Sequence, residues 1–211
     1  MNITVGVDPG NQSGIAIFAG PDLVYAALVK SKSLDFKTKA EAIRAGLKAA
    51  DVPMTRDGKI KGKSVKFYIE GQFIGGKGDP RRYSAVESQI ESRTSWTVVA
   101  GIIGLEYAEK ILPVSWQAQF GLAKGKRVWR VEEYTKIGRK HYPTFFKKTK
   151  AGMDNIAAAI LLTLTCHCKR DPVICNKHFP WIRDEYLSRV DWKSQKGSRK
   201  KKHLVFNYQE E

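Results

Sequence analysis

The sequence predicts an α/β domain built on a five-stranded mixed sheet with helices on both faces. Three observations lead there. Residues 3–7, 14–19 and 23–29 are short apolar runs with brief links, the pattern of an antiparallel meander. After them, helix-like and strand-like stretches alternate, in the order β-β-β-α-β-α-β-α-α. Residues 153–167 form a helix so apolar that it must lie largely inside the protein.

The first two runs are split by Asp8-Pro9-Gly10-Asn11-Gln12-Ser13, whose Pro and Gly mark a hairpin turn. Residues 37–50 read as a helix with Ala42, Ile43, Leu47 and Ala50 on one stripe. A polar, basic loop over 51–64 precedes a fourth strand, Val65 to Ile69, which ends at Glu70-Gly71. Residues 71–82, with four glycines and Pro80, predict a flexible loop. A long helix is expected from about Tyr83 to Lys110, then a fifth strand over Ile111 to Val114. Residues 127–142 fit a basic amphipathic helix with Val128, Val131, Tyr134 and Ile137 on one face. From Asp171 onward little periodicity remains, and six Lys or Arg with no acid fall between Lys193 and His203. The expected organisation is a domain over 1–170 and a basic, partly disordered C-terminal extension over 171–211.

The chain has 211 residues, enough for a sizeable core without disulfides or metals. Its 37 Lys and Arg against 21 Asp and Glu leave a net charge of +16, which favours a polyanionic partner because each neutralised phosphate releases a condensed counterion. No stretch reads as a signal peptide, and the longest apolar run, Ile156 to Cys166, is too short to span a bilayer. Three cysteines imply no disulfide framework. These features predict a cytoplasmic, nucleic-acid-binding protein with no membrane partner.

Three acids sit where a buried strand or helix should not want them: Asp8 at the end of the first strand, Glu70 at the end of the fourth, and Asp154 at the start of the apolar helix. Singly they read as a turn former, a strand-end acid paired with a lysine, and a first-turn helix acid. If the first and fourth strands are neighbours, Asp8 and Glu70 lie side by side, and the helix start brings the third acid to them. Such a cluster suits a divalent cation with hard oxygen ligands, and a pair of cations ~4 Å apart suits phosphodiester cleavage.

The residues that carry this pattern resemble a known family. Val5-Gly6-Val7-Asp8-Pro9-Gly10 with Gly14, Phe67-Tyr68-Ile69-Glu70-Gly71-Gln72-Phe73, and Gly152-Met153-Asp154-Asn155-Ile156-Ala157-Ala158-Ala159 resemble the three motifs of RuvC-type Holliday junction resolvases. Pro113-Val114-Ser115-Trp116-Gln117 and Phe120-Gly121-Leu122 are similar to plant organellar resolvases and their phage and bacterial relatives. The resemblance covers roughly residues 3–165. It implies an RNase H-like fold, a homodimer, magnesium (with manganese as a substitute), Asp8, Glu70 and Asp154 as catalytic metal ligands, and resolution of four-way DNA junctions in a bacterial cell or phage-infected host. One departure matters: where the family usually places a fourth ligand, one turn before its last acid, this sequence has Ala151. His141 and Asp79 are the nearest spare candidates.

Basic clusters at Lys59, Lys61, Lys63 and Lys66, at Lys124, Lys126, Arg127 and Arg130, and at Arg139, Lys140, Lys147, Lys148 and Lys150 are candidate phosphate contacts. Lys77, Arg81 and Arg82 belong to a glycine-rich loop in which Phe73 or Tyr83 is placed to stack on an unpaired base. The DNA-binding set expected is Lys77, Arg81, Arg82, Lys124, Lys126, Arg127, Lys147, Lys148 and Lys150. Cys166, Cys168, Cys175 and His178 have the residue types and spacing of a tetrahedral zinc site, provided that the helix ends between Cys166 and Cys168. The long helix after Glu70 is the expected dimer interface, with Val98, Ile102 and Leu105 supplying apolar surface and Gly101 and Gly104 allowing close approach. A nuclease of the same fold acting on RNA–DNA hybrids or flaps, and a non-catalytic junction-binding module, are the competing readings. An actin-like ATPase lobe, which the first hairpin also fits, would need a second hairpin of the same kind.

Overall fold

The structure is a computed structural model that describes residues 1–10, 12–71, 80–123, 126–146 and 152–186. Ile3–Asp8 (β1), Gln12–Ala19 (β2) and Asp22–Lys30 (β3) form the antiparallel meander. Helix Phe36–Ala49 (α1) leads to Val65–Glu70 (β4), which pairs parallel to β1. Helix Pro80–Ile103 (α2) leads to Glu106–Ile111 (β5), parallel to β4. The order β3-β2-β1-β4-β5 is the five-stranded mixed sheet that the sequence predicted. Helices Pro113–Gln119 (α3), Arg127–His141 (α4), Met153–Arg170 (α5) and Pro172–His178 (α6) follow among the described residues, with a π-helical turn at Ile182–Tyr186.

The sheet is covered on both faces because β1 is apolar on both. Ile3, Val5 and Val7 face a core shared with Ile43 and Leu47 of α1 and Trp96, Val99 and Ile103 of α2. The other face meets α5, whose residues Ile156 to Leu162 are all buried, with α3, α4 and α6 packed around it. Two glycines bring α5 down onto the sheet. A Cβ on Gly6 would collide with the Thr163 side chain, and one on Gly14 with the Asn155 carbonyl. Without side chains at these two positions the α5 backbone can touch β1 and β2 directly.

Two sequence expectations are corrected, the end of the long helix and the place of the fifth strand. The long helix stops at Ile103, seven residues early, because Gly104 takes φ +92° and the Gly104 and Leu105 N–H groups both bond to the Ala100 carbonyl. The fifth strand is therefore Glu106–Ile111, and Pro113 opens a helix instead of lying in a strand. As an exposed edge strand carrying Glu106, Glu109 and Lys110, β5 has the composition of a helix surface, which is why its sequence misled. Past residue 170, Cys175, Phe179, Ile182 and Tyr186 enter the same core as α5. There the Asp171 side chain caps α6, accepting from the Ile174 N–H at 3.0 Å. The basic stretch over 193–203 lies outside the described residues.

Gly14→Ala forces the new methyl group into the α5 backbone, so it should lower unfolding free energy by about 1–3 kcal/mol in urea titrations. A neutral result would mean that α5 can lift from β2 at no cost.

Candidate active site

The parallel register of β1 and β4 pairs Val7 with Ile69, so the next residue of each strand, Asp8 and Glu70, leaves the sheet at the same edge. Asp154 arrives from the first turn of α5, whose height above the sheet is set by the Gly14–Asn155 contact. All three acids line one pocket of about 350 Å³, together with Gln12, Trp116, Arg127, Arg130, Tyr134 and Asn155.

The turn after Asp8 is tied down from two sides. The Ser13 hydroxyl donates to the Gly10 carbonyl at 2.8 Å and accepts from the Gly10 N–H at 3.0 Å. From α2, Ser92 donates to the Gly10 carbonyl at 3.2 Å and the Trp96 indole N–H to Ser13 Oγ at 3.0 Å. Glu70 is fixed by α3, where the buried Trp116 donates Nε1–H to Glu70 Oε1 at 2.7 Å. Trp116 in turn packs edge-on against Tyr134, with ring centroids 5.7 Å apart. The neighbouring Gln117 accepts from Arg130 Nη1 at 2.7 Å. On α4, Arg127, Arg130 and Tyr134 follow at three- and four-residue spacing, so they present one face to the acids.

The electrostatics follow from this enclosure. Desolvation raises the Asp8 pKa well above the usual carboxylate value, the charge of Glu70 and a hydrogen bond to it raise it further, and Asp154 adds to the effect, while Arg127 opposes it. Glu70 is also raised, mainly by desolvation, against hydrogen bonds from Asp8 and Trp116 and the charge of Arg130. Asp8 and Glu70 thus share a hydrogen bond, and burial holds both carboxyls above their usual values. Tyr134 is raised by burial and by the charges of Asp8, Asp154 and Glu70, so it stays a neutral phenol in the field of all three acids.

The chemistry of this donor set fits a divalent cation. Two hard carboxylates share a hydrogen bond, a third acid faces the same pocket, and, although Arg127 and Arg130 line it, no Lys or Arg among the described residues forms an ion pair with any of the three. The acids are gathered but not closed into a cage: among the described residues, no three His, Cys, Asp or Glu side chains already enclose an ion. His141 is not a spare ligand. It stacks on Trp181 at 3.7 Å, away from the acid pocket. Asp79 lies outside the described residues.

The zinc expectation finds no support among the described residues. Helix α5 runs unbroken to Arg170, which points Cys166 and Cys168 to different sides. Cys168 instead hydrogen-bonds Cys175, burial raises both the Cys166 and Cys168 thiols, and His178 is exposed.

Of the expected DNA contacts, Arg127 stands on the pocket wall, Lys126 is exposed at the start of α4, and Arg81 and Arg82 fall in the first turn of α2. Lys77, Lys124, Lys147, Lys148 and Lys150 lie outside the described residues. The cluster at Lys59–Lys66 belongs to the opposite end of β4 from Glu70, where Lys59 pairs with Asp57 and Lys66 with Glu106. Sequence reasoning missed Trp116 as the partner of Glu70 and read Tyr134 only as apolar surface. The two ends of the Trp116–Glu70 bond are 46 residues apart, and no local pattern reports it.

No family model matches the chain, and no curated protein matches it. Among solved structures it is similar to Thermus thermophilus RuvC in complex with a Holliday junction substrate, at 13% identity and TM-score 0.48, covering 77% of this chain and 92% of that one. It is also similar to a Thermus thermophilus RuvC structure, at 12% identity and TM-score 0.46, covering 76% and 91%.

Because the folded-state pKa of Asp8 is raised, the carboxyl contributes most to stability when protonated, below its ordinary value of 3.8, and that contribution is lost as pH rises through the raised pKa. Asp8→Asn should therefore raise the melting temperature of the metal-free protein by a few degrees at pH 7–8, with the gain vanishing near pH 4. A lower melting temperature at pH 8 would show that the acid pair supports the fold.

Proposed function

We propose that this protein is a structure-selective DNA endonuclease that resolves four-way junctions by magnesium-dependent phosphodiester hydrolysis, with Asp8, Glu70 and Asp154 as metal ligands. The observation that carries the reading is the meeting of these acids, from β1, β4 and α5, in one pocket with Arg127 and Arg130. When bound, the cation supplies Lewis-acid neutralisation of charge on the phosphate oxygens. The rest falls to the chain. Arg127 and Arg130 attract and orient the phosphate, Gln117 holds Arg130, and Trp116 keeps Glu70 in one rotamer. Ala151, where a fourth acid is expected, favours a second reading: a protein that binds junctions without cutting them.

Resolution needs two opposed nicks, which a two-fold dimer supplies. Helix α2 offers a surface for it: Ile90, Val98 and Ile102, at four- and eight-residue spacing, are 36%, 43% and 58% exposed, and the Cβ direction of Gly101 is open. Leu105, expected in the same interface, is in the core instead, and Gly104 is the helix cap.

With magnesium, the protein should cut a four-way junction faster than a duplex or an RNA–DNA hybrid, and Asp8→Asn should abolish cutting while junction binding in a gel shift is kept or tightened. Binding without cutting by the unaltered protein would establish the second reading. Sedimentation should give about twice 23.7 kDa, and Ile102→Glu should give a monomer. A unaltered protein that stays monomeric on junction DNA would leave a single-site nuclease.

A further inference from the structure

A second cleft of about 640 Å³ lies beside the acid pocket, lined by Lys30, Ser31, Lys32, Ser33 and Ser88. Among the described residues its lining has two ammonium groups and three hydroxyls and no acid. Lys30 and Lys32 are exposed, and the Ser31 hydroxyl is buried without a protein partner. The Glu91 carboxylate accepts a hydrogen bond from Ser33 at 2.8 Å.

Behind this cleft lies a buried cation. Lys39 is 0% exposed, and its Nζ donates to the carbonyls of Lys32 at 3.1 Å and Ser33 at 2.5 Å and to Ser95 Oγ at 2.7 Å. Three acceptors use all three ammonium hydrogens, and every one of them is neutral. The Trp96 ring lies 5.9 Å away. Asp35, which acts on Lys39 at longer range, is occupied in capping α1 through the Thr38 N–H at 3.0 Å. A desolvated positive charge behind two exposed lysines favours an anion in front of it.

Position supplies the rest. Lys30 is paired with Gln12 across β2 and β3, and Gln12 lines the acid pocket. Ser88 lines the cleft while the next residue, Gln89, lines the acid pocket. The two sites share a boundary along one strand end and one turn of α2.

We infer that this cleft is a second phosphate subsite, in which Lys30, Lys32 and the Ser31 and Ser88 hydroxyls receive a backbone phosphodiester of the nucleic-acid strand whose neighbouring phosphate lies at the acid pocket. The inference rests on the nuclease reading for the identity of that strand. It extends the binding track from β1 and β4 towards β3, away from Arg127 and Arg130 of α4.

The test combines a charge deletion with a phosphate deletion. Lys30→Gln/Lys32→Gln is made in the full chain, and junction binding is measured by fluorescence anisotropy from low to high salt. The slope of log K against log salt should fall by about 1–2, since each lost phosphate contact removes about 0.9. A junction strand is then scanned with single neutral methylphosphonates. One position near the cut should weaken binding to the unaltered protein several-fold and have no effect on the double variant. An unchanged salt slope, or a methylphosphonate effect that is the same in both proteins, overturns the subsite. Ser88→Ala, which removes a hydroxyl and leaves both lysines, should show the same position-specific coupling in weaker form; its failure to do so while the lysine variant succeeds would reduce the site to a diffuse charge and overturn the built subsite. Cleavage by the unaltered protein, followed in parallel, reports separately on the nuclease reading: cutting with an unchanged slope removes only the subsite, while loss of both cutting and binding removes both.

Discussion

Two carboxylates held together at the ends of adjacent parallel strands are the constraint on which the rest of this structure turns. Buried like charges are costly, and a fold retains them only where other contacts over-determine the arrangement. Here the β1–β4 register places Asp8 and Glu70 side by side, the Ser13, Ser92 and Trp96 contacts hold the turn after Asp8, and Trp116 holds Glu70. The strain is confined to one sheet edge, between two apolar cores that supply the stability to tolerate it.

The division of labour between the two faces explains how such a site stays open. The face covered by α1 and α2 is a conventional core of Ile, Val, Leu and Trp side chains. The other face is organised by α5, whose small residues and the glycines beneath it let helix and sheet backbones approach closely. Close approach sets the height of the helix, and the height sets where Asp154 stands relative to Asp8. A methyl group at Gly14 therefore acts on the site as well as on packing. The approach also leaves the end of α5 free for α3 and α4 to wall the pocket with Trp116, Arg127, Arg130 and Tyr134.

Much of this was legible in the sequence, for physical reasons. The meander, β4, α1 and α5 are rich in apolar residues because each buries a face, and acids at the ends of such elements stand out against it; α4 buries less than its pattern suggested, since Val128, expected on its apolar face, is 72% exposed and only Tyr134, Ile137 and Gly138 are buried. What misled was structure that buries little. The edge strand β5 is mostly exposed and looks helical, and the end of α2 depends on one left-handed glycine, Gly104. The cysteine spacing fitted a zinc site only if α5 stopped early, and its hydrogen-bond ladder runs on through Arg170. Contacts between distant segments, such as Trp116 with Glu70 or Lys39 with Ser95, have no local signature at all.

The net charge of +16 and the acidic pocket stand in apparent conflict, and the conflict is informative. A polyanion is drawn to the molecule by its overall charge but repelled from three clustered carboxylates at short range. Long-range attraction is screened beyond about 8–10 Å at ordinary salt, so it cannot by itself bring a phosphate to Asp8. Local cations must do that, and the described residues supply them on two sides: Arg127 and Arg130 from α4 on one, and Lys30 and Lys32, backed by buried Lys39, on the other. A backbone lying across both would be held at its flanks with its central phosphate above the acids. Under the proposed nuclease reading, a divalent cation would remove the remaining repulsion. On this view the acids exclude phosphate until metal arrives, and the flanking lysines and arginines decide which phosphate is presented.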